Sequence, residues 1–189
     1  MSFWDTLLGR TKLPKPKGER MFAMATAQIT LQASLGLRPT GRAGLCFRPV
    51  ASGRFASAEE DADALARIGG EATGTQVETR DDAHGFRWLV FSDPDFEDVV
   101  AHVHAASRAL IEAGFGEQLL AAVFPFVDES GQSVFWVFSY RRAAFYPFVP
   151  AGGRQRDNAY ELRLQATMRR ELPLEPDLER WYALWDPPL

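Results

Sequence analysis

The chain is poor in the residues that build reactive or cross-linked centres. It holds one cysteine, Cys46, so no intrachain disulfide and no cysteine-rich zinc site can form. In the apolar setting Leu45-Cys46-Phe47 that thiol reads as a small buried hydrophobe. Three histidines leave few ways to assemble a metal or general-base centre. No run approaches the roughly 20 apolar residues a membrane-crossing helix needs. The N-terminus lacks the apolar core and small-residue cleavage site of a secretory leader, since Asp5 interrupts it, and the expected compartment is the cytoplasm. Among signature motifs there is no G-x-G-x-x-G, no G-x-x-x-x-G-K-[ST], no G-x-S-x-G and no H-E-x-x-H. There is no excess of basic charge either: 21 Lys and Arg face 25 Asp and Glu, for a net −4, which argues against a nucleic-acid footprint.

What remains is an ordinary globular composition over 189 residues, 46% hydrophobic and 24% charged, enough for one domain with appendages. Charge is unevenly placed along it. Residues 1–56 sum to +7, residues 57–140 to −12 and residues 141–189 to +1. Either these segments neutralise one another in the fold or they give it a bipolar surface.

Residues 2–10 spell two turns of helix with Phe3, Trp4, Leu7 and Leu8 on one face. Arg10 to Arg20 holds five bases and two prolines, so residues 1–20 read as an amphipathic helix and exposed linker preceding a single domain, 21–189. Such a segment can lie on an anionic membrane, enter a partner's groove or cover its own domain. Residues 21–35 have helical periodicity with Phe22, Ala25, Ile29 and Ala33 inward. Gly44–Val50 reads as a strand. Ser57-Ala58-Glu59-Glu60 is a capping box for a short acidic helix that Gly69-Gly70 closes near Ile68. Thr75–Arg80 and Phe86–Phe91 form a hairpin around Asp81–Gly85. Asp93-Pro94 opens the longest helix, with Phe96, Val99, Val100, Val103, Ala106, Leu110 and Ile111 in its stripe.

Leu119–Val127 and Ser133–Tyr140 lack polar alternation and read as central strands covered on both faces. A helix from Asp157 to Arg170, with Ala159, Leu162 and Ala166 inward, and a short one from Asp177 to Trp185 complete the chain. With the acidic helix set aside as an insertion, the order αβββαββα predicts an α+β fold. It has a mainly antiparallel five-stranded sheet and helices on one face, resembling type III secretion chaperones.

Three clusters bear on chemistry. His102-x-His104 falls in a helix, where a spacing of two turns side chains roughly 200° apart and denies them a shared ion. The carboxylates Glu59-Glu60-Asp61, Asp81-Asp82 and Asp95-Glu97-Asp98 sit where capping and solvation account for them. The segment Tyr140–Pro150 couples Arg141 and Arg142 to Phe145, Tyr146 and Phe148. It is a protein-contact surface, an anion or base cradle, or a last strand whose phenylalanines pack inward. No residue is assigned to catalysis and no metal or cofactor is expected.

Several strings taken together resemble the bacterial PspA-associated protein family PspAB. They include Leu7-Leu8-Gly9-Arg10-Thr11-Lys12, Leu37-Arg38-Pro39-Thr40-Gly41, Cys46-Phe47-Arg48-Pro49-Val50, Glu112–Leu120, Phe145-Tyr146-Pro147-Phe148, Arg156–Leu162 and Glu175–Trp181. The resemblance implies a non-enzymatic cytoplasmic binding protein, peripheral to the inner membrane, associated with the membrane-stress protein PspA. It assigns no functional residues. Candidate contact residues are therefore Phe3, Trp4, Leu7 and Leu8, and Arg141, Arg142, Phe145 and Tyr146. The alternatives are a secretion-type chaperone, which requires a homodimer with an open apolar groove, and a small-ligand enzyme. The enzyme requires a pocket joining a carboxylate to His84, His102 or His104.

Overall fold

The computed structural model describes residues 17–189. The expected helix at Phe3, Trp4, Leu7 and Leu8 lies outside them. The described residues form four α-helices and seven strands. They run α1 (Ala23–Leu35), β1 (Arg38–Pro39), β2 (Arg42–Phe47), α2 (Gly53–Thr73), β3 (Gln76–Asp81) and β4 (Arg87–Ser92). Then come α3 (Phe96–Glu112), β5 (Leu119–Val127), β6 (Ser133–Ser139), β7 (Ala144–Phe148) and α4 (Asn158–Met168). The sheet order is β3-β4-β2-β5-β6-β7, with β1 paired to β5 off that path, and every named pairing is antiparallel.

The α+β class and antiparallel sheet agree with the sequence; the strand count of five does not. Of the two strands not in that count, β7 is one of the readings of Tyr140–Pro150, and both have weak signals. β1 is two residues long. β7 contains Pro147, which a central strand would exclude. β7 is an edge strand, and its outer side pairs irregularly: Phe145 N–H donates to Pro173 O (2.7 Å) and Glu175 N–H to Phe145 O (2.8 Å). Pro147, two residues on, turns its missing N–H toward that same outer side, where no ladder bond is lost.

The acidic helix α2 is not a short insertion. It runs 21 residues, capped by Ser52, whose Oγ accepts from Phe55 N–H at 3.1 Å, and it packs along α3. Its true anchor is Phe55, buried between Phe47 and Phe115. Gly69 and Gly70 do not end it. A Cβ on Gly70 would meet Thr75 O at 2.2 Å, and one on Gly69 would meet the His102 ring at 2.8 Å. The pair gives α2 a bare flank on which Thr75 and α3 can close in. Thr73, at the surface, and Thr75, buried, then link His102 Nε2 (3.0 Å) to the Asp93 carboxylate (2.5 Å) through their hydroxyls. The α3 cap is Asp95, accepting from Glu97 N–H at 2.8 Å, rather than Asp93.

Strand alternation sorts the core into two layers. Leu45, Phe47, Leu89, Phe91, Phe124, Phe126, Trp136, Phe138 and Phe145 face the four helices. Cys46, Trp88, Val90, Val123, Val137, Tyr146 and Phe148 face the other way. This second face is covered by the C-terminal segment, through Trp181, Leu184, Trp185 and Leu189. β5 and β6 are thus covered on both faces, as their unbroken apolar runs predict. The expected terminal helix shrinks to one 3-10 turn, Leu178–Arg180; beyond it the chain has no regular structure and packs on the sheet. Two inward stripes also shift. In α1 the buried residues are Met24, Ala25, Ala27 and Leu31, while Ile29 is exposed; in α4 they are Glu161, Leu164 and Met168, while Leu162 is exposed. Both helices have nearly uniform side-chain polarity around the barrel, so periodicity there carried little direction.

Candidate functional site

At the end of the sheet where β5 begins and β6 ends, α3 stops and the covering tail has not yet closed over. α3 ends at Ala113, and Gly114, with φ of 89°, turns the chain away. The β2–β5 register slips between Cys46 and Phe47, so β2 leaves the sheet and Arg48 N–H donates to Gln118 O at 3.0 Å. The gap between these exits is a cleft of about 1300 Å³. Its apolar lining comes from both faces of the sheet: Leu119 from the helix side, and Leu120, Ala121, Val137 and Tyr146 from the face the tail covers. His104, Arg108, Ile111 and Glu112 of α3 form one wall, with Glu19, Arg48, Glu117, Arg141 and Tyr182 around the mouth.

The mouth carries charge of both signs. Arg108 pairs with Glu112. Arg48, Arg141, Glu19 and Glu117 make no ion pair among the described residues. His104 is held below its usual range, first by partial burial and then by Arg108, with Glu19 working against them. Its Nε2 and the Tyr140 Oη are buried without a hydrogen-bond partner. Burial pushes the Tyr140 and Tyr146 phenols up, so both are neutral hydroxyls. The site can therefore hold an amphipathic surface, apolar below and charged at the rim.

The residues singled out from the sequence separate in the fold. Arg141 and Arg142 sit exposed in the β6–β7 turn, and Arg141 reaches the cleft mouth. Phe145 is fully buried, 4.9 Å from the Phe138 ring and 6.4 Å from Phe124, and is core rather than surface. Tyr146 is 5% exposed, stacked on Trp181, and is one of the residues lining the cleft. Adjacent strand residues point to opposite faces, and both faces here are covered, so the aromatic half of the patch turns inward. Phe3, Trp4, Leu7 and Leu8 lie outside the described residues.

The histidines do not converge. His84 is exposed in the β3–β4 turn. His102 stacks on Phe91, with 9° between the rings, and His104 meets the Phe22 ring edge-on at 5.7 Å. The helical argument that parted His102 from His104 holds. Among the described residues no three His, Cys, Asp or Glu side chains gather as metal ligands.

Sequence reasoning missed the device that locks the tail. Glu161, 2% exposed, accepts from Val149 N–H (2.8 Å) and Arg156 Nε (3.0 Å). Arg156 lies over the Phe148 ring at 5.2 Å and donates to the Trp181 carbonyl. Trp181 Nε1 donates to Glu175 O at 3.0 Å. The available signal was the density of tryptophans, Trp181 and Trp185, beside prolines at the chain's end. Aromatic area of that size stabilises strongly only when it is covered.

A family model described as PspA associated protein B matches residues 1–189. The chain belongs to that family. No curated protein and no solved structure matches it, so the secretion-chaperone comparison gains no support from them. Among the described residues no helix of this PspAB family member is long and apolar enough to cross a membrane.

Proposed function

We propose that the chain is a non-enzymatic adaptor that binds PspA, the protein its family is named for, in the membrane-stress response at the cytoplasmic face of the inner membrane. The observation that carries this reading is the family match over the whole chain. The cleft supports it, because an apolar lining with a charged rim suits an amphipathic helix laid in a groove. The basic N-terminal residues add attraction to anionic lipid.

The test is capture of purified PspA by the full chain, with and without anionic vesicles. Saturable binding is expected. An Arg48→Glu/Arg141→Glu variant should bind roughly tenfold more weakly while unfolding at the same temperature, since exposed substitutions typically shift stability by no more than about 0.5 kcal/mol. Binding to vesicles alone would replace PspA by the membrane as the partner. A folded protein that binds neither would overturn the reading.

A further inference from the structure

The two edges of the sheet are finished differently. β7 is closed on its outer side, where Phe145 bonds to Pro173 and Glu175. β3 is the other edge, and among the described residues no strand pairs to its outer side. Its backbone parity follows from the hairpin. Asp82 N–H donates to Phe86 O at 2.9 Å, so Asp82, Arg80, Glu78 and Gln76 turn their backbone groups toward β4. Val77, Thr79 and Asp81 therefore turn theirs outward. Val77 O agrees, since it accepts from Arg67 Nη1 of α2 at 3.2 Å.

Side chains alternate along the same strand. Val77 joins the core under the helices, and Thr79 Oγ1 donates to Asp63 at 3.1 Å. Glu78 and Arg80 face the tail side, where Arg80 donates to Glu78 (2.5 Å) and to Pro188 O (3.2 Å). Charged side chains on an open edge ordinarily guard it against stray strands. Here the guard admits one strand. When β3 meets a second β3 antiparallel about a two-fold at Thr79, its outward groups meet the outward groups of the other copy. In that register Glu78 lies opposite the partner's Arg80, and Arg80 opposite the partner's Glu78. A slip of one residue sets outward groups against inward-turned ones. A slip of two residues sets Glu78 against the partner's Glu78, or Arg80 against the partner's Arg80. Nearby acids are already matched, because Arg87 holds Glu59 and Asp81, and Arg67 holds Asp63.

We infer that two copies of this chain pair β3 to β3, in the register centred on Thr79, and join their sheets into one. The contact is isologous, so it closes at two copies. It is one strand long, which gives a weak dimer with a dissociation constant on the order of 10–100 μM. It stands apart from the PspA reading, and its test needs no other protein.

Light scattering on the full chain should show the mass rise from monomer to dimer between about 10 μM and about 1 mM. Glu78→Arg should weaken the association at least about tenfold, since like charges then face each other. Glu78→Arg/Arg80→Glu exchanges the two charges and should restore it. This doubly exchanged chain should pair with itself but not with wild type, where Glu78 would face a glutamate. Native mass spectrometry of a mixture with one chain isotopically heavy reads that choice. The pairing within one strand is intact in both chains and cannot produce it. Amide protection at Val77, Thr79 and Asp81 should rise with concentration, while Glu78 and Arg80 stay protected throughout. A monomer at every concentration would overturn the inference. So would a dimer that Glu78→Arg leaves unchanged, or free mixing of the exchanged and wild-type chains.

Discussion

At the residue scale, His104 shows what partial burial beside a cation does to an imidazole on α3. Burial and Arg108 both oppose its protonation, so its folded pKa lies below the ordinary value of 6.5. The unfolded chain then binds the proton more readily. Stability is fully present above the unfolded value and is lost as pH falls through 6.5 toward the folded value. Urea midpoints measured from pH 7.5 down to about 5 should decline in the wild type and decline less in His104→Gln, with the denaturant slope unchanged. An identical decline in both would place the acid sensitivity elsewhere. Phe145 and Tyr146 carry the opposite lesson. Their neighbours Arg141 and Arg142 are exposed, yet two residues further the backbone enters a sheet covered on both faces. A charged pair beside aromatics looks the same in sequence whether the rings face solvent or core.

At the element scale, the C-terminal segment acts as a missing layer. It covers Cys46, Trp88, Val137 and Tyr146, where helices would sit in a three-layer fold. Leu189 lies so near Gly44 that a Cβ there would approach it to 2.6 Å. Under that cover the Cys46 thiol is pushed up to about 12, mainly by burial, and is inert at neutral pH. Ending the chain before Pro176 should leave far-UV helical signal from α1–α4 intact but make Cys46 react with a thiol reagent at least tenfold faster, by the opening arithmetic of roughly 1.4 kcal/mol per decade. An unchanged rate would mean that the tail does not shield this face. The layer was hidden from sequence reading because an irregular segment has no period of its own; it takes its shape from the sheet beneath. The hairpin strands, β5, β6 and α3 were legible for the converse reason, since their periods of 2.0 and 3.6 are local. α2 was half legible: its acidic face was plain, but Gly69-Gly70 reads as a stop unless Thr75 and His102 are known to press against it. The cleft was not legible at all, because it lies where four chain segments end together.

At the scale of the molecule, charge stays segregated. All four bases of residues 57–140 pair with acids of that same stretch: Arg67 with Asp63, Arg80 with Glu78, Arg87 with Glu59 and Asp81, and Arg108 with Glu112. Among the described residues no ion pair joins one segment to another, and none involves Arg20, Arg38, Arg42, Arg48 or Arg54. Local pairing thus leaves the long-range imbalance in place rather than cancelling it. Binding through the basic residues should therefore weaken about tenfold or more as salt rises from 0.05 to 0.3 M, because the screening length falls below about 10 Å near 0.1 M. Affinity that ignored salt would assign the contact to apolar burial alone.

By itself the sequence determined the class of the protein. That class is α+β with a mainly antiparallel sheet, because local periods defined most strands and the main helix. Only the tertiary structure decided which aromatics became core, what covered the second face of the sheet and where a cleft opened. Those outcomes depend on contacts between residues far apart in the chain. A hydrophobic side chain records that it will be buried, not what will bury it.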